Sequence, residues 1–134
     1  MRDINRSEIM GRLAEPPVVR TSANGASRAL LKVITNRWAR DDSGSGGHEV
    51  ATSHRVVVFD NAQKTLIPSL VQNCGTGSAV FIVGRHESRS YEDQSGRKCW
   101  ITELVTSDIK WFTSSERPSS EPLVASEFAN AFAA

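Results

Sequence analysis

Ser53-His54-Arg55-Val56-Val57-Val58-Phe59 is the stretch on which the reading of this chain turns. Three consecutive valines followed by phenylalanine suit a pleated, half-buried surface. With a period of two, Val56 and Val58 face one side while Arg55, Val57 and Phe59 face the other, so one side must be core. Working upstream, Ala29-Leu30-Leu31-Lys32-Val33-Ile34-Thr35-Asn36-Arg37-Trp38 has the same character and reads as a long strand, entered from the turn-prone Ser22-Ala23-Asn24-Gly25. An earlier strand, Glu8-Ile9-Met10-Gly11-Arg12-Leu13, stops at Glu15-Pro16-Pro17, where proline removes ladder donors. Between the second and third strands, Asp41-Asp42-Ser43-Gly44-Ser45-Gly46-Gly47-His48 is too rich in glycine and serine to order itself and is expected as a mobile hairpin tip.

Downstream, Leu66, Ile67, Leu70 and Val71 recur at helical spacing near Thr65 to Asn73, and Pro68 confines this to a short helix beginning close to the proline. Gly75-Thr76-Gly77 ends it and launches a strand from Ala79 to Arg89, which returns through a hairpin as Trp100 to Ile109. Five strands and one short helix describe an all-β protein, and a small closed barrel removes the free edges such a sheet would otherwise leave. The expected fold is a five-stranded oligonucleotide-binding (OB) barrel over residues 4–112. After Phe112 the run Thr113-Ser114-Ser115-Glu116-Arg117-Pro118-Ser119-Ser120-Glu121-Pro122 cannot bury enough apolar surface to offset ordering entropy, so 113–134 is expected as a disordered tail.

At 134 residues the chain is one domain by length, with 39% hydrophobic and 23% charged residues, both ordinary globular values. No apolar run approaches the roughly 18 residues of a membrane span, and Met1 to Arg6 has no apolar signal core. Cys74 and Cys99 lie far apart, in neither zinc nor disulfide-framework spacing, and are expected as two partly buried thiols in a reducing compartment. The net charge is +1, but the tail holds three glutamates against one arginine, which leaves the first 112 residues at +3. That excess is too small to hold duplex DNA by charge alone, so phosphate contact requires a local patch.

Such a patch is expected around Tyr91-Glu92-Asp93-Gln94-Ser95-Gly96-Arg97-Lys98-Cys99-Trp100, where rings and cations alternate across a hairpin. Flat rings beside guanidinium and ammonium groups suit unpaired bases and their phosphates. Arg55, Arg85, Arg89, Arg97 and Lys98 are the first candidates for phosphate contact, with Arg37, Arg40 and Lys64 second. Against this stand the ordinary roles of such residues: basic side chains usually make a solvated face, and Phe59 and Trp100 are the size of barrel filling. Phe59 shares a face with Arg55, which argues against burial; Trp100 is balanced between the two roles. His54 reads as a hydrogen-bonded structural histidine, and His48 and His86 lack a suitably spaced metal partner. Gly75-Thr76-Gly77-Ser78 is followed by a strand, whereas a phosphate loop requires a helix, and no catalytic set stands out. No metal or cofactor is expected.

Met10-Gly11-Arg12-Leu13, His54-Arg55-Val56-Val57-Val58-Phe59, Gly77-Ser78 leading into Val80-Phe81-Ile82-Val83-Gly84, Tyr91 to Gly96 and Thr102-Glu103-Leu104-Val105 occur in one order across roughly residues 5–112. In that order and spacing the chain resembles the bacterial and mitochondrial single-stranded DNA-binding proteins. The resemblance implies an OB-fold homotetramer that binds and protects single-stranded DNA with little sequence preference and no catalysis. It places Phe59 and Tyr91 at base-stacking positions. Trp38 falls at a third, where a slip of one residue turns the ring into the core. Two departures are visible: bacterial members carry tryptophan where this chain has Ser53, and their acidic tip, which recruits replication and repair proteins, is replaced by the nearly uncharged Glu127-Phe128-Ala129-Asn130-Ala131-Phe132-Ala133-Ala134. Mitochondrial members also lack the tip, so a mitochondrial nucleoid protein and a bacterial, plasmid or phage protein both remain open. The competing classes are an OB module that docks proteins, as in primosome assembly, an RNA-binding module, and, further off, a phosphate-binding enzyme.

Overall fold

A computed structural model describes residues 1–60 and 65–112. Among them the strands are β1 (Ser7–Leu13), β2 (Val18–Thr21), β3 (Ser27–Arg40), β4 (Gly47–Phe59), β5 (Ala79–Glu92) and β6 (Lys98–Trp111), with the helix α1 (Ile67–Asn73) between β4 and β5. The order in the sheet is β1-β5-β6-β4-β3, and a second pairing of β1 with β3 closes the ring of five long strands. Closure satisfies the backbone groups that an open sheet would leave at its edges. The expected OB-type barrel with one short helix is therefore present. The expected tail at 113–134 lies outside the described residues.

The sequence reading missed β2. This short strand follows Pro16-Pro17 and pairs with the first residues of β3, from Val18↔Leu30 to Thr21↔Ser27. All four of its residues are exposed, so burial left no alternation to read. β3 and β4 also run further than their compositions suggest. Their ladder is unbroken from Arg28↔Phe59 to Arg40↔Gly47, which shortens the glycine-serine tip to residues 41–46. There the Asp41 N–H donates to the Gly46 carbonyl at 2.9 Å, and Gly44 takes a φ of 72°.

One side of every barrel strand supplies the core: Leu13, Val33, Val56, Val58, Val80 and Ile82 are fully buried there, joined by Leu104 and Ile109. The helix caps this core with Ile67, Leu70 and Cys74, the last a buried free thiol whose pKa burial pushes up. No side chain of the helix's own first turn caps it. Instead Asp60 accepts hydrogen bonds from the Leu66 and Ile67 N–H groups at 2.7 and 2.9 Å. A carboxylate at a helix start is favoured both as acceptor and by the local dipole. His54 is the structural histidine expected, its Nε2 2.8 Å from the Thr35 hydroxyl and its pKa lowered by burial and then by His86.

Barrel closure depends on a close approach at Gly11. A Cβ there would fall inside contact distance of the Ile34 carbonyl oxygen on β3, the strand to which β1 must pair. Gly11→Ala is expected to force β1 off β3 and to cost about 2–3 kcal/mol, read as a lowered urea midpoint at unchanged m-value. An unchanged midpoint would show that the approach tolerates a methyl group.

Candidate nucleic-acid interface

Beyond the barrel the β3–β4 and β5–β6 hairpins continue as two arms, and the pleat decides what each arm shows. Since Val56 and Val58 point inward, the outward side of β4 carries Arg55, Val57 and Phe59, and its cross-strand partners on β3 are Lys32, Leu30 and Arg28. Carried along the same ladder, Trp38 and Arg40 face outward as well, while Arg37 faces the opposite side. β4 pairs in parallel with β6 at Val57↔Val105, which puts Glu103 and Val105 on the outer side. Their β5 partners, Glu87 and Arg85, share it, as do Arg89 and Tyr91 further along the arm.

The structure thus gathers Trp38, Arg40, Arg55, Phe59, Arg85, Arg89 and Tyr91 on one outward surface, and separates three other candidates from it. Arg37 lies on the reverse of the first arm. Lys98 and Trp100 lie on the reverse of the second, paired with Glu92 and Ser90, and the Lys98 ammonium sits 5.1 Å from the centre of the Trp100 ring. Arg97 belongs to the turn: its N–H donates to the Asp93 carboxylate at 2.9 Å, and that carboxylate also accepts from the Ser95 hydroxyl at 2.7 Å, which holds its pKa below the usual range. Lys64 lies outside the described residues. Barrel filling is ruled out for the rings, since Trp38 is 65% exposed, Phe59 49%, Tyr91 46% and Trp100 68%. Trp38 leans diagonally onto Gly47, where a Cβ would stand 2.6 Å from its Nε1, so the bare glycine gives the indole its bed.

Sequence reasoning passed over three cations on this surface. Arg28 stands opposite Phe59, Lys32 opposite Arg55, and Arg20 on β2 opposite Arg28. Arg20, Lys32 and Arg55 line a groove of about 400 Å³ with Glu15, Val18 and Ser53 among its walls. Lys32 had a readable signal, its alternation with Leu31 and Val33; Arg20 had none, because β2 was not recognised.

Glu103 was also missed as part of the site. It is 7% exposed, and its carboxylate accepts from Arg55 Nε at 3.0 Å through one oxygen and from Arg89 Nε at 2.9 Å through the other. These phosphate-contact candidates thus already hold carboxylate partners, and Arg85 likewise pairs with Glu87 at 2.8 Å. The Arg89 hydrogen bond, with that of Arg55, holds the Glu103 carboxyl below its ordinary value of 4.5 against the opposing effect of burial. A depressed folded pKa adds stability that is complete above the ordinary value and disappears as pH falls through the folded one. Glu103→Gln is expected to lower stability at pH 7 by about 1–3 kcal/mol. In urea titrations the gap to the wild type should narrow below pH 4.5; a gap constant into strong acid would contradict the ion pairs.

Comparison with known proteins agrees with this architecture. A solved structure described as the Plasmodium falciparum SSB complex with ssDNA superposes with a TM-score of 0.72 at 21% identity, covering 84% of this chain and 97% of that one. A deletion mutant of the single-stranded DNA binding protein from Thermus aquaticus gives 0.69 at 22% identity, covering 85% of this chain and 53% of that one, so this chain spans about half its length. At these identities the likeness concerns the fold. The model of the single-strand binding protein family matches residues 4–112, the whole barrel with both arms, and the chain belongs to that family.

Proposed function

We propose that the chain binds single-stranded DNA without sequence preference and without catalysis, covering strands exposed in replication, recombination and repair. The observation that carries this reading is the outward surface on which Trp38, Phe59 and Tyr91 stand exposed among Arg28, Arg40, Arg55, Arg85 and Arg89. Every base has a π-face, so stacking on such rings ignores sequence and contributes about 1–3 kcal/mol per base. Guanidiniums between the rings meet the phosphates that link the stacked bases. Family membership supports the reading, as does the presence of single-stranded DNA in the Plasmodium falciparum neighbour. We assign the working form to a homotetramer, on the family and on Met10, which is 61% exposed and pairs with Phe81 across β1 and β5 as an apolar strip suited to a subunit contact. Light scattering reads that state directly; a monomer at working concentration overturns it.

Titration with poly(dT) is expected to change tryptophan emission and to produce a gel shift, with affinity falling as salt rises in proportion to the phosphates neutralised. Unchanged emission together with no shift rejects the reading. In competition at one salt concentration the single strand should displace the protein from its duplex, and equal displacement by matched RNA would extend the substrate to RNA. Phe59→Ala and Tyr91→Ala should each weaken poly(dT) binding by about tenfold to a hundredfold, with unchanged thermal midpoints because both rings are exposed. Retention of full affinity by the double variant would move the function to a protein-docking role.

A further inference from the structure

Two guanidiniums side by side repel one another, and an arginine free to swing loses much of its rotamer entropy when it grips a phosphate. On the outer surface this chain meets both costs with one group. Arg55 comes from β4 and Arg89 from β5, and between them on β6 the buried Glu103 carboxylate takes the Nε–H of each, one oxygen apiece. Among the described residues neither arginine has another carboxylate partner. Both remain nearly half exposed, 48% and 47%, while the Glu103 side chain is 8% exposed. A guanidinium tethered through Nε keeps its far edge, formed by the two Nη groups, for a second partner. That edge is the fork which matches two oxygens of a phosphate. The cluster as a whole carries one net positive charge, so it attracts an anion although its acid is satisfied.

We propose that Glu103 is a positioning residue for phosphate capture: it holds Arg55 and Arg89 as a preset pair whose free edges receive the strand's backbone. The proposal rests on the strand-binding reading above and deepens it. It predicts a sign opposite to that of simple electrostatics. Removing a negative charge from a surface that binds a polyanion ordinarily tightens binding; here the loss releases the pair. An amide in place of the carboxylate still accepts from one Nε–H, but its NH₂ group faces the other guanidinium, and the two arginines separate.

The test is poly(dT) affinity, measured by tryptophan emission at several salt concentrations for the full chain, Glu103→Gln, Arg89→Ala and the double variant. The expected result is about tenfold weaker binding by Glu103→Gln, a size typical of coupled neighbours, with Arg89→Ala costing much less in the Glu103→Gln background than alone. Far-UV circular dichroism at the assay temperature confirms that the variants compared are folded. Arg89→Lys supplies an arm that does not depend on how Glu103→Gln folds. Lysine keeps the charge yet cannot hold the carboxylate by one nitrogen and offer a fork with others, so it should bind about as weakly as Arg89→Ala. Folded Glu103→Gln binding as tightly as wild type or tighter, equal Arg89→Ala costs in both backgrounds, or wild-type affinity in Arg89→Lys overturns the proposal alone. A wild-type chain that ignores poly(dT) overturns the strand-binding reading and this proposal together.

Discussion

A strand that turns Val56 and Val58 into the barrel must turn Arg55, Val57 and Phe59 out of it, and the outer surface depends on that alternation being carried intact into the arms. Along β3 and β4 the ladder has no break, so the choice made at the core reaches Trp38 and Arg40, well beyond the last buried residue. Along β5 and β6 the ladder slips once, between Val83 and Gly84. Before the slip the inward residues of β6 are Ile109 and Trp111; after it Leu104 faces in and Glu103 faces out. Without the bulge the carboxylate would point into an apolar core with no partner, at a cost the fold could not bear. Gly84 sits at the slip because a Cβ there would collide with the Val105 carbonyl.

The bulge also explains how a glutamate can be buried on the outside of a barrel. Val57 and Val105 are 2% and 8% exposed although they face outward, so Glu103 has an apolar margin on the sheet and lies beneath two long arginine stems. Such stems cover apolar surface while their heads stay wet. Desolvation of the carboxylate is offset by two charge-assisted hydrogen bonds, and the shielded position strengthens both. The same three residues tie β4, β5 and β6 together where the arms leave the barrel.

Much of this was legible in residue types. Valine runs marked the barrel walls, Pro68 marked the helix start, and Phe59 beside Arg55 marked an outward face. What stayed hidden depends on register and on contacts far apart in the chain. Tyr91 and Trp100 look like one aromatic cluster, yet the Asp93 turn pairs Tyr91 with Cys99, and this sends Trp100 to the reverse side. The alternative orientations of Trp38 could be decided only by the length of the ladder behind it. Glu103 resembles any solvent-facing strand residue until partners 48 and 14 residues away fold over it.

Acidic side chains share the outward surface with its cations. On the outward surface Glu49, Glu87 and Glu103 stand among Arg28, Lys32, Arg40, Arg55, Arg85 and Arg89, so the long-range field is weaker than the number of cations suggests. Attraction is therefore concentrated at contact distance, in guanidinium edges and exposed rings, where geometry governs strength. The ligand such a surface suits best offers anionic groups and flat faces alternately along an extended line. A duplex hides its flat faces within the stack and satisfies the charged half of that requirement alone, whereas an unpaired strand satisfies both. On the proposed strand-binding reading, discrimination between them follows from where the rings stand and requires no sequence-reading contact.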